Sequence, residues 1–456
     1  MARAAKKETS LTTEEKLAKA LVPEEEQPYP VPENWCWVRL GSLYEINPKN
    51  EASDELEAGF VPMEKISAGM CTSFNFDVRP WGKAKKGHVQ LANGDVAFAK
   101  ISPCFENRKS MIVNGLPNGI GAGTTEIIVL RQPSVNNRFT FWLISTDDFI
   151  QKGRRTYSGT VGQQRISMDY VRQYPIPLPP LPEQQRIVTF IESLFADLDA
   201  AKEKLQTVLD GFAERRAAIL HQAFAGELTR EWREENGIPA KSWSKRKLGE
   251  IGHLERGRSK HRPRNDPKLF GGSYPFIQTG DIAASGMYVT THKQTLSEVG
   301  LQQSRLFPAG TLCITIAANI GDVAILSYDC CFPDSVVGFT PNAKTISEYV
   351  YYMMTTLQQE LETNAPATAQ KNINLKLLND TYVSVPTIKE QKEIVRILDN
   401  ILAKESQSKA AVESALAKID TMKKAILATA FRGGLGTGDE NDESAVQLLR
   451  DTLESH

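Results

Sequence analysis

The chain has 456 residues, which is too long for one ordinary hydrophobic core and predicts two or three domains of about 150 residues each. Hydrophobic residues make up 41% and charged residues 24%, with 31 Gly and 24 Pro; this excludes collagen-like, wholly disordered and disulfide-scaffold proteins. Because 54 Lys and Arg balance 55 Asp and Glu, any nucleic-acid binding must come from local basic patches.

The cysteines and the N-terminus bear on the cellular compartment. The six cysteines form no C-x-x-C pair and have no companion histidine at zinc-ligand spacing, and scattered, reduced thiols are typical of the cytosol. No run of about 18 apolar residues is present, and the N-terminus is charged where a secretory signal would be apolar. We therefore expect a soluble, cytoplasmic protein that does not bind a membrane.

In chain order, the sequence begins with a charge-rich extension, residues 1–30, whose helical signal lies at 12–21. Residues 31–180 then alternate short β-type runs with Gly, Asn and Pro, and residues 231–386 do the same. The β-type runs lie at 96–98, 126–130, 311–316 and 322–326, and helical patterns lie at 138–149 and 346–361. Each block predicts one mixed α/β domain, so we expect an α+β protein.

A long helix is predicted after each block, at 181–230 and at 387–435, and a charge-rich C-terminal tail follows at 436–456. Prolines such as Pro182 and Pro386 mark the helix starts, because proline is not tolerated in a helix interior. Gly226 and Gly433 mark the ends, where glycine commonly terminates a helix.

The two helical blocks are copies of each other. Displaced by 207 positions, residues 183–228 match residues 390–435 without a gap at 14 of 46 positions, among them the Glu-Gln pairs at 183–184 and 390–391. At a displacement of 208, Trp35 also matches Trp243. The chain is therefore an internal repeat in which a divergent block and a similar helix occur twice.

Apolar residues in both helical blocks recur every three or four positions, which keeps them on one side of a helix and is typical of a coiled-coil seam. Because each stripe needs a partner, we expect the two helices to pack side by side, with Val208 and Met422 among the seam residues. The other seam candidates, which are also candidates for partner docking, are Ile187, Ile191, Leu194, Leu198, Leu205, Phe212, Ile394, Leu398, Ile401, Val412, Ile419 and Ile426.

Catalytic signatures are missing from the sequence. It contains no G-x-x-x-x-G-K-[ST], no H-E-x-x-H and no G-x-S-x-G. Residues 119–123 are similar to a phosphate-binding loop, but a β-type run follows where a helix N-terminus would be needed, which favours a turn between strands. Residues 329–332 lack the prolines of an amino-methyltransferase motif. We therefore predict no catalytic residue and no metal site.

Basic residues cluster in both divergent blocks and are candidates for phosphate contacts, since each bound cation displaces counterions from DNA. A solvated charged loop explains each cluster equally well when it is taken alone. The recurrence of basic loops in both copies favours a binder with two reading domains. The candidates are Lys83, Lys85, Lys86, Arg154 and Arg155 in the first block, and Arg256, Arg258, Lys260, Arg262 and Arg264 in the second.

A polar segment also recurs without a gap, at 160–166 and 367–373. Gln and Asn can bond adenine through two hydrogen bonds, and Arg or Lys can reach guanine or phosphate. The alternative is a capping loop that packs the domain onto its helix. The candidates for DNA contact are Gln163, Gln164, Arg165, Gln370, Lys371 and Asn372.

The order of these motifs resembles a known family. The first helical block begins with Pro-Leu-Pro-Pro-Leu-Pro-Glu-Gln-Gln-Arg-Ile-Val at 177–188 and ends with Ala-Phe-Ala-Gly-Glu-Leu-Thr at 223–229. The second has Glu-Gln-Lys-Glu-Ile-Val at 390–395 and Ala-Phe-Arg-Gly at 430–433. Over nearly its whole length, the chain resembles the specificity subunit of type I restriction-modification enzymes.

This resemblance implies two target recognition domains separated by two long antiparallel coiled-coil helices, related by a pseudo-two-fold internal repeat. It implies recognition of a bipartite, asymmetric double-stranded DNA target, one half per domain. The implied partners are two methylase subunits and two restriction subunits, which would carry S-adenosylmethionine, ATP and Mg. The chain itself would hold no cofactor and would be non-catalytic, and its two ends are suspected of closing a circular arrangement.

Two other functions are compatible with the same residues. A coiled-coil scaffold whose flanking domains bind proteins would also need long seamed helices. A self-sufficient nuclease or methyltransferase is the third possibility, and the missing catalytic signatures argue against it.

Overall fold

The computed structural model describes residues 12–260, 263–317, 321–364 and 374–454. They fold into two compact units: unit 1 comprises the chain up to Leu205 together with the segment from Ala415, and unit 2 comprises Gln206–Ser414. Both boundaries fall within long helices, so each unit contains one mixed α/β domain and part of each long helix.

The helices are α1 (Thr13–Ala20), α2 (Leu40–Leu43), α3 (Trp81–Ala84), α4 (Asn137–Ile144), α5 (Asp147–Arg154), α6 (Met168–Gln173), α7 (Leu181–Phe224), α8 (Arg230–Glu235), α9 (Leu248–Ile251), α10 (Thr279–Ala284), α11 (Glu298–Gln303), α12 (Ser347–Asn364), α13 (Leu375–Asp380), α14 (Ile388–Ala430) and α15 (Ala445–Glu454). The strands of unit 1 are β1 (Cys36–Arg39), β2 (Glu45–Ile46), β3 (Glu57–Val61), β4 (Asp77–Pro80), β5 (Val89–Ala92), β6 (Val96–Ala99), β7 (Ser110–Ile112), β8 (Ile120–Gly123), β9 (Ile127–Arg131) and β10 (Pro175–Leu178). Those of unit 2 are β11 (Ser244–Lys247), β12 (Gly252–Arg256), β13 (Phe270–Phe276), β14 (Tyr288–Val289), β15 (Gln294–Leu296), β16 (Leu306–Phe307), β17 (Leu312–Thr315), β18 (Val323–Leu326), β19 (Cys330–Cys331), β20 (Val336–Pro341) and β21 (Tyr382–Val385).

The two domains have the same sheet topology. Unit 1 has one sheet in the order β4-β3-β8-β5 and a second in the order β2-β9-β6-β7, and unit 2 has the matching orders β15-β13-β19-β16 and β12-β20-β17-β18, with β14 added at the edge. The parallel pair β3 and β8 corresponds to the parallel pair β13 and β19. In each unit an antiparallel ribbon, β1 with β10 or β11 with β21, joins the two ends of the domain. The internal repeat therefore includes the divergent blocks, and the α+β prediction is confirmed.

The glycine-rich segment at 119–123 lies mostly in a strand, so the prediction of a turn is wrong for most of it. Only Gly119 and the preceding Asn118 have the positive φ of a turn, and β8 follows directly. Gly121 allows β8 to lie against β3, because a Cβ there would be 2.6 Å from the Gly59 carbonyl oxygen.

The helical pattern at 138–149 forms two helices instead of one. The Thr146 side chain accepts a hydrogen bond from the backbone N–H of Phe149 and so caps α5, and α4 ends at Ile144. The break allows the aromatic rings of Phe149, Phe98 and Phe105 to pack together in the core of unit 1.

The long helices α7 and α14 pack against each other in both units. In unit 1, Lys423 Nζ of α14 lies 2.6 Å from Asp199 Oδ1 of α7, and Arg186 bonds the Thr437 carbonyl beyond α14 at 2.7 Å. Residue numbers rise along one helix while they fall along the other, so the pair is antiparallel. In unit 2, Leu220 of α7 shares a core with Ile394 of α14. The predicted pairing is confirmed.

The burial pattern corrects the seam in detail. Val208 and Met422 are 42% and 50% exposed, so their placement in the seam is wrong. At three predicted positions the residue one step further along is the buried one; these buried residues are Phe195, Leu402 and Leu427. A straight α-helix drifts against a strict heptad, which moves the buried stripe onto the next residue. Among the predicted seam residues, those that are buried are Ile187, Ile191, Phe212, Ile394, Leu398 and Ile419, and those that are half-buried are Leu194, Leu198, Leu205, Ile401, Val412 and Ile426.

The first and last helices of the described residues, α1 and α15, pack together in unit 1. Leu17 of α1 and Leu449 of α15 are buried in one core, and the Ala445 N–H donates to the Asn34 carbonyl at 2.9 Å. In unit 2 the corresponding place is occupied by the continuous segment from α7 to β11.

Candidate nucleic-acid interface

A hairpin in unit 1 carries the polar segment predicted at 160–166. Ser158 and Arg165 exchange two backbone hydrogen bonds of 3.1 and 2.9 Å, and the Gln163 N–H donates to the Thr160 carbonyl at 2.9 Å to close the turn. Gly159 and Gly162 have φ values of 109° and 84°, a conformation that side-chain-bearing residues rarely adopt. This hairpin, residues 158–165, presents a tight and exposed tip.

The base of the hairpin is fixed by Arg165. Its Nε and Nη2 donate to the two carboxylate oxygens of Glu126, both at 2.8 Å, and Nη1 donates to the Gln163 carbonyl at 2.9 Å. These bonds hold the pKa of Glu126 below its usual value, and the nearby Lys100 charge acts in the same direction. Arg165 therefore braces the hairpin from within the domain, and its contact with DNA stays a prediction.

The chain before the hairpin is basic. Arg154 and Arg155 end α5 and are exposed, and Arg154 Nη1 donates to Gln151 at 3.3 Å. Gln163 at the tip is exposed, whereas Gln164 is half-buried and its carbonyl accepts from the Ser102 N–H at 2.8 Å. The exposed members of this region can reach an anionic backbone without first breaking an internal ion pair.

The first basic cluster lies on and after the short helix α3. Lys83 and Lys86 are exposed, and no ion pair among the described residues involves either of them. Lys85 differs, because its Nζ lies 2.6 Å from Asp54 Oδ1 and 5.7 Å from the centre of the Trp81 ring. Of these three lysines, only Lys83 and Lys86 can bind a phosphate without giving up an ion pair with another described residue.

The second basic cluster follows β12 in unit 2. Arg256 donates to the Asp334 carbonyl, and Arg264 Nη2 donates to both carboxylate oxygens of Asp334 at 3.1 Å. Arg258 and Lys260 are exposed. The remaining candidates in this half, Arg262, Gln370, Lys371 and Asn372, lie outside the described residues.

The repeated Glu-Gln pairs form the joint between each domain and the long helices. Glu183 is buried and accepts from the Trp35 indole N–H at 2.8 Å and from the Thr437 hydroxyl at 3.1 Å. Gln184 accepts from the Asn136 N–H at 3.0 Å and donates to the Pro179 carbonyl at 2.9 Å. The residues were visible in the sequence repeat, but their role as a joint was missed.

Unit 2 repeats this joint and adds a charge. Glu390 Oε1 accepts from the Trp243 indole at 2.9 Å, from the Thr229 hydroxyl at 2.7 Å and from Arg233 at 2.6 Å. Gln391 accepts from the Ile346 N–H at 3.1 Å, as Gln184 does from Asn136 in unit 1. The joints place the domains on their helices.

The thiols of the chain are poor nucleophiles where they are buried. Burial raises the pKa of Cys36 to about 12 and that of Cys330 to about 12. Cys330 and Cys331 form strand β19, within the segment at 329–332. Within the described parts of the chain, no helix has both the length and the hydrophobicity to cross a lipid bilayer. Those same residues hold no group of three metal-ligating side chains.

Comparison with known proteins places both domains and the first part of each long helix in one family. The family model described as the type I restriction modification DNA specificity domain matches residues 32–209 and 240–414. The type I restriction enzyme EcoAI specificity subunit of Escherichia coli is 39% identical over 202 residues, which cover 44% of this chain and 34% of that protein. The EcoEI specificity subunit of Escherichia coli is 36% identical over 248 residues, covering 50% of this chain and 41% of that protein.

The solved structures agree with the fold. The HsdS subunit from Thermoanaerobacter tengcongensis superimposes with a TM-score of 0.69 at 22% identity, over 90% of this chain and 100% of that chain. The chain thus aligns with less than half of the length of the two curated relatives and with the whole of this structural neighbour.

Proposed function

The chain belongs to the type I restriction-modification DNA specificity family, and from this we propose that it recognises a bipartite, asymmetric DNA sequence. Residues 31–180 read one half of the target and residues 231–386 read the other. One observation carries the proposal: the same strand order occurs twice, on joints built from the same Glu-Gln pair, with different surface loops. Two domains that share a fold but differ in their surfaces are suited to recognising two different half-sites.

The long helices, residues 181–230 and 387–435, set the unread spacer between the half-sites. Helix α7 has 44 residues and α14 has 43. At about 1.5 Å per residue each helix is roughly 65 Å long, which exceeds the roughly 34 Å between elements that read successive turns on one side of a duplex.

The contacts with DNA begin with exposed cations. Lys83, Lys86, Arg154 and Arg155 in unit 1 are exposed, as are Arg258 and Lys260 in unit 2. They neutralise phosphates and fix the register of the duplex, and polar residues of the hairpin read bases. The chain acts in the cytoplasm, where its DNA is accessible.

Catalysis belongs to other subunits. Two methylase subunits bind S-adenosylmethionine and modify adenine, two restriction subunits use ATP and Mg, and this chain positions all four without a cofactor of its own. The missing catalytic signatures support this division.

Mapping of N6-methyladenine tests the function directly. Cells expressing the chain with a methylase subunit should methylate one word of two parts separated by a fixed gap, and cells with the methylase alone should not. Methylation without sequence preference, or at one continuous word, would overturn the proposal. A scaffold that binds only proteins would give the first of these results.

A further inference from the structure

The most exposed large apolar side chain of the described residues is Val161, at the tip of the 158–165 hairpin. It is 89% exposed, whereas the next most exposed, Tyr382, is 58% exposed. Contact with water does not stabilise a valine side chain, and a polar residue at this position would form the same turn. An exposed apolar side chain at the tip of a fixed hairpin is suited to contact with an apolar group of a binding partner.

The hairpin holds this tip in one place. Its base is tied to the domain by the Arg165–Glu126 bonds, by the Ser102 N–H to the Gln164 carbonyl, and by the Ile166 N–H to the Lys100 carbonyl at 3.0 Å. A recognition element that is ordered before binding loses less conformational freedom when it binds. The bracing therefore suits a reading element better than a loose surface loop.

The surroundings indicate the chemistry of the partner. Arg154 and Arg155 precede the hairpin and are exposed, and Gln163 shares the tip. Glu126, the carboxylate at the base, is neutralised by Arg165. Exposed cations that shortly precede an apolar tip in the chain fit a loop at the edge of a nucleic-acid groove, where phosphates flank the bases.

We propose that the 158–165 hairpin enters the DNA major groove and that the Val161 methyl groups contact the C5-methyl group of a thymine in one half-site. A two-stranded ribbon fits the major groove, and the thymine methyl is the apolar group displayed there. The inference rests on the proposed function and names the base chemistry that this tip reads. Gln163, beside it, bonds a base edge in the same half-site.

Replacing thymine by deoxyuracil, which removes only the methyl group, tests the contact. The complex of the full chain with methylase subunits is titrated with duplexes of the mapped target, each with one thymine replaced. One replacement in one half-site should weaken binding about fourfold, the equivalent of ~0.8 kcal/mol for one buried methyl. Val161→Ala should weaken binding to the thymine duplex by a similar factor and abolish the thymine preference at that position.

Two further variants separate a methyl contact from a general loss of binding. Val161→Thr keeps one methyl group and should keep part of the preference. Val208→Ala, at an exposed valine of α7, should keep all of it. The unfolding midpoint of Val161→Ala should equal that of the parent, because the side chain packs against little.

Three results would overturn the inference. They are equal binding of all deoxyuracil duplexes, an unchanged thymine preference in Val161→Ala, and a mapped target without thymine in either half. Failure of the proposed function is distinguishable, because the parent complex would then show no preference for the mapped duplex over a scrambled one.

Discussion

Replacing Glu390 by Gln should destabilise unit 2 far more than replacing Glu183 by Gln destabilises unit 1. Both carboxylates are buried at equivalent joints, and both accept a hydrogen bond from a tryptophan indole and a threonine hydroxyl. Only Glu390 also pairs with Arg233, whose side chain is 11% exposed. The two positions therefore differ by one buried ion pair and by the Oε2 atom of Glu390, which has no hydrogen-bond partner among the described residues.

The structure sets the size of the difference. In Glu390→Gln the guanidinium of Arg233 stays buried without a counter-charge, and breaking a buried pair in this way costs about 3–5 kcal/mol. In Glu183→Gln the amide oxygen can keep the bond from the Trp35 indole, and the amide NH2 then faces Thr437, whose hydroxyl can accept instead of donating. No basic side chain of the described residues lies within ion-pair distance of Glu183. Weakening two hydrogen bonds there costs about 1 kcal/mol. We expect a gap of at least about 2 kcal/mol.

Hydrogen exchange read by mass spectrometry measures each unit separately, which matters because two units need not unfold together. Protected amides of β11 and β21 should exchange at least about 100-fold faster in Glu390→Gln, since 1.4 kcal/mol corresponds to a factor of ten. Amides of β1 and β10 should change less than tenfold in Glu183→Gln. The double variant Glu390→Gln/Arg233→Met should lose less stability than the sum of the losses of the two single variants. Each single variant leaves one buried charge without its partner, whereas the double variant leaves none. Equal losses at the two joints, or strict additivity in unit 2, would refute the reasoning.

The remaining expectations concern the thiols, the hairpin and the basic cluster. Iodoacetamide at pH 8 should label Cys71 and Cys104, which are half-buried, before Cys36 and Cys330, whose pKa burial raises to about 12; peptide mapping that shows equal labelling of all four would contradict this. Arg165 lowers the pKa of Glu126, so the stability that this pair contributes is present at neutral pH and is lost as the pH falls through that lowered pKa. Glu126→Gln should therefore speed hydrogen exchange of the hairpin amides at pH 7. An unchanged exchange rate would show that this ion pair does not hold the hairpin in place. Lys83→Ala/Lys86→Ala should reduce the slope of log affinity against log salt by up to about 1.8, at 0.9 per phosphate contact, while Lys85→Ala, at a residue paired with Asp54, should change it less; a filter-binding series with equal slopes would show that the cluster is solvated surface.

The helices were predictable because their signal is local and long. The periodic apolar residues from Ile187 to Phe212 and from Ile394 to Ile426 identify α7 and α14, and the prolines and glycines identify their ends. The seam was displaced by one residue at Phe195 and Leu427 because the heptad template has 3.5 residues per turn and the helix has about 3.6. The break between α4 and α5 was missed, although Thr146 followed by Asp147 and Asp148 is an ordinary helix start.

The sheets were not predictable because their signal is short and non-local. The strands have two to seven residues, and β1 pairs with β10 across most of unit 1. The ion pairs of the candidate site were not predictable for the same reason, because nothing near Arg165 in the sequence indicates that Glu126 neutralises it. The same holds for Arg264 and Asp334. Counting cations along the chain overstates how many are available to a phosphate.

Comparison of the two copies of the internal repeat indicates which positions determine the recognition of each half-site. Some positions that are identical in both copies, such as Glu183 and Glu390, are buried at joints that both halves need for the same mechanical reason. Such positions cannot distinguish two half-sites, because they are the same on both sides. Specificity must come from exposed positions where the copies differ, and the tip of the 158–165 hairpin meets this condition at three positions: Thr-Val-Gly at 160–162 corresponds to Ala-Thr-Ala at 367–369. Exchanging these three residues between the copies should therefore alter the half-words and leave the gap between them unchanged.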